Sequence, residues 1–268
     1  MCNNDNQDEA TRKGYRMKES LRTFVEKATS RSISGYDAVV REERYFCAVL
    51  YHCMLSDRDG MQRFLQLCGV KRTEEARRKV FVEYAMARDL WHCLESNEAK
   101  RRFLLDHANL PKDMEDISDP KTFNERLVAG TPSPGHIQSP ARWKLDKVEG
   151  ISKEARMLKW AFNVKPDIVI ELDKNEAICI EAKVESSEAV YAGKVPQTCV
   201  QHFLMKEVLG YETHMVFLSP KHEKKSCQEL KIRSVTWSEA YGCFSGVDSQ
   251  VLGEAQSKIG RASCRERV

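Results

Sequence analysis

Lys165 to Lys183 reads KPDIVIELDKNEAICIEAK, and the alternation inside it decides the fold. Ile168, Ile170 and Leu172 alternate with Asp167, Val169 and Glu171. Beyond the polar turn Asp173-Lys174-Asn175-Glu176, the residues Ile178, Ile180 and Ala182 alternate with Cys179, Glu181 and Lys183. Successive side chains of a strand point to opposite faces. The stretch therefore predicts a β-hairpin with Asp167, Glu181 and Lys183 on one face and the aliphatic residues packed behind. Two carboxylates and a lysine on a rigid sheet form a site for a divalent cation with an ammonium beside it, which is hydrolytic chemistry. The competing account is a solvated hairpin carrying ordinary surface charges.

Downstream, a helix is expected from about Lys194, with Val200, Phe203 and Leu204 on its apolar side. Gln197 and Gln201 lie one turn apart on a face otherwise suited to packing. Strands are expected at Thr213 to Leu218 and Ile232 to Thr236, then a short helix through Trp237 and Tyr241. The order hairpin, helix, strand permits a right-handed parallel crossover.

Upstream, Ser34 and Asp37 open a capping-box helix running to Met54. Val39, Glu43, Phe46, Leu50 and Cys53 share one face, with Glu43 in the middle of the apolar stripe. A carboxylate there either points at a cation or flanks the stripe and pairs with an arginine such as Arg44. Glu42 lies off the stripe, so Glu43 is expected to approach the hairpin more closely. Arg58 to Asn109 reads as helical throughout: a short helix with Met61, Phe64, Leu65 and Cys68, ended by Gly69, then a longer one capped at Thr73 with Val80, Phe81, Tyr84 and Trp91 as buried candidates, then another through Phe103 and Leu104. Arg77-Arg78-Lys79 and Lys100-Arg101-Arg102 are interleaved with acids and read as solvated helix faces rather than phosphate contacts. Residues 129–150 hold the linker signals Pro132, Pro134 and Pro140, and Ser152 to Phe162 reads as a helix leading into the hairpin.

Pro166-Asp167 opening one strand, with Glu181-Ala182-Lys183 closing the next, resembles the active-site signature of the PD-(D/E)xK nuclease superfamily. An E-x-K alone carries little information in so charged a chain; the Pro-Asp and the facing of both strands make the match specific. The signature covers the hairpin, and a looser resemblance of the flanking elements covers Ser34 to Met54 and Pro166 to about Phe244. The resemblance implies an α/β (α+β) restriction-endonuclease-like core, a small mixed sheet flanked by helices, with a helical insertion between the first core helix and the catalytic hairpin. It implies Mg²⁺, with Mn²⁺ as a substitute, held by Asp167, Glu181 and the Ala182 carbonyl, with Glu43 aimed at the metal or at a second cation. Lys183 would orient or help deprotonate the attacking water, and Gln201, with Gln197 close behind, would adjoin the site. The implied activity is metal-dependent hydrolysis of phosphodiester bonds in nucleic acid, DNA ahead of RNA. The alternative is a catalytically inactive nuclease-fold module that binds nucleic acid or protein.

Composition bounds these readings. No apolar run approaches the roughly 20 residues a membrane span needs, and the N-terminus has no signal-peptide core, so an intracellular protein without a membrane partner is expected. Ten cysteines occur without C-x-x-C pairs, which predicts reduced thiols; His52-Cys53 and His92-Cys93 sit in apolar helical stretches and are not read as zinc ligands. No P-loop, dinucleotide fingerprint or nucleophile elbow is present. Lys258 to Val268, KIGRASCRERV, matches one reading frame of a widely used sequencing adapter and is set aside as non-native. Its four basic residues and one acid carry the whole formal net charge of +3, so the remainder is about neutral and global basicity lends no support to nucleic-acid binding. The expected organisation is a polar tail over 1–31, a nuclease-like domain over 32–250 with a helical insertion at about 56–128 and a linker at about 129–150, and the non-native 258–268.

Overall fold

A computed structural model describes residues 43–71, 78–127, 135–184, 187–223 and 230–247, with 252, 253, 255–257 and 259. In chain order these form α1 (Glu43–Ser56), α2 (Arg58–Leu67), β1 (Lys79–Val82), α3 (Met86–Cys93), α4 (Asn97–Ala108), α5 (Pro120–Leu127) and α6 (Lys153–Ala161). The hairpin follows as β2 (Ile168–Asp173) and β3 (Glu176–Ala182), then a two-stranded ribbon β4 (Val190–Tyr191) and β5 (Val195–Pro196). Last come α7 (Gln197–Phe203), running into a π turn over Leu204–Val208, then β6 (Glu212–Ser219), β7 (Ile232–Thr236) and α8 (Trp237–Gly242). The Ser34–Asp37 helix start, Glu42 and the Thr73 cap lie outside the described residues.

The main sheet has the order β1-β2-β3-β6-β7. β1, β2 and β3 pair antiparallel, whereas β3–β6 and β6–β7 are parallel. The fold is thus mixed α/β around a five-stranded mixed sheet. Both faces of the hairpin are covered. Ile168, Ile170, Ile178, Ile180 and Ala182 pack with Phe46, Leu50 and Cys53 of α1, Phe64 and Leu65 of α2, and Trp237 and Tyr241 of α8. Val169, Ala177 and Cys179 pack on the opposite face with Tyr84, Met205 and Met215. Burial on two faces explains why the strands are almost continuously apolar.

Local signals fix the helix ends that matter. Asp57 caps α2, its carboxylate accepting from the Gly60 amide at 2.7 Å, and Gly69 ends it at φ +90°, a conformation glycine adopts freely. Ser152 caps α6 through the Ala155 amide. Thr236 and Glu239 form a reciprocal capping box on α8.

Three expectations are corrected. The long helix expected across Val80 to Trp91 is two elements: Lys79–Val82 is an edge strand paired with β2, and only Met86–Cys93 is helical. Short β-branched and aromatic runs favour a strand once a partner edge exists, whatever the helical spacing suggests. Secondly, residues 56–128 do not stand apart from the sheet, because α2 packs on it and β1 extends it; the separate helical core begins at α3, with Trp91, Leu104, Phe123 and Leu158 inside it and Val200 and Leu204 completing it. Thirdly, the later half of the 129–150 stretch is anchored, since Ile137, Trp143 and Leu145 are buried in that helical core. Lys100, Arg101 and Arg102 sit on α4, Arg101 and Arg102 paired to Glu98 and Lys100 over the Trp91 ring; Arg102 is solvated as expected, whereas Arg101 is largely buried and donates to the Glu115 carbonyl at 2.8 Å. Among the described residues no helix is long and apolar enough to cross a membrane.

Candidate active site

The hairpin register sets the site. Ile168 pairs with Ile180, so one step further Asp167 lies opposite Glu181. Asp167 stands just ahead of β2, and its Oδ2 accepts from the Ala182 amide at 2.8 Å, tying the entry of one strand to the exit of the other. Glu181 is fully buried. Its Oε2 accepts from Gln197 Nε2 at 2.9 Å and from Gln201 Nε2. Its Oε1 lies 2.6 Å from Lys183 Nζ, a close buried ion pair. Lys183 Nζ also lies 3.4 Å from Glu43 Oε2, across from the first turn of α1.

Asp167, Glu181, Lys183, Glu43 and Gln201 are therefore brought together as their sequence positions predict. The choice between Gln197 and Gln201 dissolves, because both donate to the same oxygen. Ala182 contributes its amide, through Asp167. Glu43 reaches Lys183 as the stripe predicts; Glu42 is outside the described residues. Lys183 is held from behind as well, its carbonyl accepting from the buried Trp237 Nε1 at 2.8 Å.

Electrostatics follow from burial. Glu181 is pushed well above the ordinary carboxyl range by loss of solvent and then by the Asp167 charge, with Lys183 and Gln201 pulling the other way. Asp167 is raised too, by burial and by Glu43 and Glu83, against the Ala182 amide and Lys183. Burial works against the Lys183 ammonium, but Glu181, Glu43 and Asp167 outweigh it and hold its pKa up. The two nearest thiols, Cys47 and Cys179, are raised well above the usual thiol value by burial and by the same acids. They stay protonated, and a protonated thiol is a poor nucleophile.

Among the described residues no group of three or more His, Cys, Asp and Glu side chains is arranged to hold a metal ion. The oxygen set at hand is the Asp167 and Glu181 carboxylates and the strand-end backbone beside them. Two raised, mutually repelling carboxyls fit a hard divalent cation, which takes oxygen ligands and would relieve that repulsion.

Two neighbours escaped the sequence reading. Glu83, one residue past β1, donates its amide to the Asp167 carbonyl at 3.0 Å and takes a positive φ of 52°. Its placement depends on β1 pairing with β2, which no local pattern announced. Glu188 accepts from the Thr198 amide and hydroxyl at the start of α7; a lone glutamate in a polar loop gave no signal. Among the cysteines, Cys47, Cys53, Cys68, Cys93, Cys179 and Cys243 are free thiols, whereas Cys199 is disulfide-bonded, a departure from the reduced state expected throughout. Compared with family models, curated proteins and solved structures, the chain matches none.

Proposed function

We propose that the chain is a metal-dependent phosphodiesterase of the PD-(D/E)xK superfamily, built on a restriction-endonuclease-like core and acting on nucleic acid, with DNA as the first substrate class. The observation that carries this reading is the meeting of Asp167, Glu181 and Lys183 at one end of the hairpin, with Lys183 Nζ 2.6 Å from Glu181. An antiparallel hairpin followed by parallel strands, with α7 between β3 and β6, supports the core assignment.

Asp167 and Glu181 would hold Mg²⁺ or Mn²⁺ together with the Ala182 carbonyl. The bound cation supplies Lewis acidity toward phosphate and water. Gln197 and Gln201 hold Glu181 in place through Oε2, and Lys183 pairs with Oε1. Lys183, kept charged by its acidic neighbours, orients the attacking water and offsets charge growing on the phosphoryl oxygens. Its raised pKa argues against the other role expected of it, taking the proton from that water. Glu43 contacts Lys183 at 3.4 Å and would be the acid nearest a second cation.

The test is cleavage of a panel of single- and double-stranded DNA and RNA by protein lacking residues 258–268, with Mg²⁺, Mn²⁺ or EDTA. Cleavage with either metal and none in EDTA is expected. A folded protein that binds nucleic acid and cuts no member of the panel would support the inactive module instead.

A further inference from the structure

Beside Asp167, two cations from different parts of the chain converge on one carboxylate. Arg44 Nε lies 3.2 Å from Glu83 Oε1, and Lys165 Nζ lies 3.4 Å from Glu83 Oε2. One carboxylate balances only one of them, so the trio keeps a net charge of about +1. Arg44 uses only Nε in this bridge, and its side chain is 72% exposed; the two terminal nitrogens of the guanidinium have no partner among the described residues. Lys165 is 40% exposed.

The trio is tied to the catalytic residues at three points. Arg44 follows Glu43, which contacts Lys183. Lys165 precedes Asp167 by two residues. The Glu83 and Tyr84 amides donate to the Asp167 and Pro166 carbonyls, each at 3.0 Å. Glu83 holds its place at a left-handed φ of 52°, a conformation that costs a side-chain-bearing residue roughly 1 kcal/mol or more and tends to persist where the surroundings impose it.

We propose that Arg44 and Lys165, spaced by Glu83, form a phosphate subsite that takes the nucleic-acid backbone next to the scissile phosphodiester. This rests on the nuclease reading. A guanidinium with two free N–H edges matches two phosphate oxygens, and the lysine adds a point charge. Glu83 keeps the two side chains extended in the absence of substrate and gives them up to the phosphate, so less side-chain entropy is lost on binding. With residues 1–257 about neutral, a local pair of this kind supplies the attraction that net charge does not.

The experiment is steady-state cleavage with Mg²⁺ from about 50 to 200 mM salt for wild type, Arg44→Ala, Lys165→Ala and Arg44→Lys. Each alanine variant should raise KM about three- to tenfold, this being the larger part of its loss in kcat/KM. Each should also flatten the dependence of log(kcat/KM) on log[salt] by about 0.7 to 0.9, the value of one phosphate contact. Arg44→Lys should recover the salt slope and only part of KM. Circular dichroism of each variant checks the fold, which these exposed side chains should not disturb. If wild type cleaves while both alanine variants keep its KM and salt slope, the subsite is wrong and the nuclease reading stands. If the loss falls on kcat with the slope intact, the pair acts elsewhere than on the backbone phosphate. A wild type that neither binds nor cleaves nucleic acid defeats both.

Discussion

At the scale of single residues, the site is an arrangement of unfavourable burials that offset one another only in part. Glu181 is pushed up to about 8 and Asp167 to about 6, from ordinary values of 4.5 and 3.8. Both carboxyls therefore bind protons more tightly in the folded chain than in the unfolded one. Their contribution favours the fold below the ordinary values and is lost as pH rises through about 6 and then about 8. In EDTA, the unfolding free energy should fall between roughly pH 5 and 8, by on the order of a few kcal/mol at most, and the melting temperature should fall with it. Glu181→Gln should flatten that fall, and Mg²⁺ should raise the melting temperature more at pH 8 than at pH 5. A metal-free profile that is flat or rising for wild type would show that the acids are not held as described. The glutamines belong to the same balance. Gln201→Ala removes one of the two donors to Glu181 Oε2 and should cost about 1–3 kcal/mol of stability, read from urea denaturation; an unchanged midpoint would mean that Gln201 is a bystander.

At the scale of elements, the end of β3 is where structure and chemistry meet. Lys183 can serve the site only if the strand stops where it does, and α8 enforces the stop through Trp237 Nε1 on the Lys183 carbonyl. Trp237→Phe preserves most of the packing while leaving that buried carbonyl short of a donor. It should cost about 1–3 kcal/mol and lower kcat more than it raises KM, because Lys183 loosens while the rim that meets substrate is untouched. Cleavage kinetics with denaturation checks this, and a variant as stable and active as wild type would contradict it. The hairpin itself was legible in the sequence because alternation fixes facing on either side of the polar turn Asp173 to Glu176; the structure shortens that turn to Lys174-Asn175, with a register shift between Glu171 and Asp173. Helix α1 was legible through its stripe, and Gln197 with Gln201 through their four-residue spacing. Strand β1 was not. KVFV is too short for its alternation to stand out, it lies at an edge with no fully buried residue, and the helical spacing of nearby apolar residues ran across it. With β1 went Glu83, since a residue placed by pairing to a strand 85 positions away leaves no local trace.

At the scale of the whole molecule, two cores divide the work. The sheet core carries the site, and the helical core around Trp91, Phe123 and Leu158 borrows Val200 from α7 and Leu204 from the π turn after it. That helix also presents Gln197 and Gln201 to Glu181, so the helical core steadies the site without supplying an acid to it. This division could not be read from the chain, where residues from about 56 to 128 look like one insertion. The choice between a working hydrolase and a binding module rests on whether Lys183 stabilises charge at phosphorus. The most direct measurement is the single-turnover rate of Lys183→Ala against wild type, with saturating Mg²⁺ and a substrate that the wild type cuts. Loss of one such preorganised charge predicts a fall of about 10²–10³ in rate, roughly 3–4 kcal/mol, with substrate affinity largely kept. Cleavage by Lys183→Ala at the wild-type rate, or wild-type cleavage that persists in EDTA, would contradict the account.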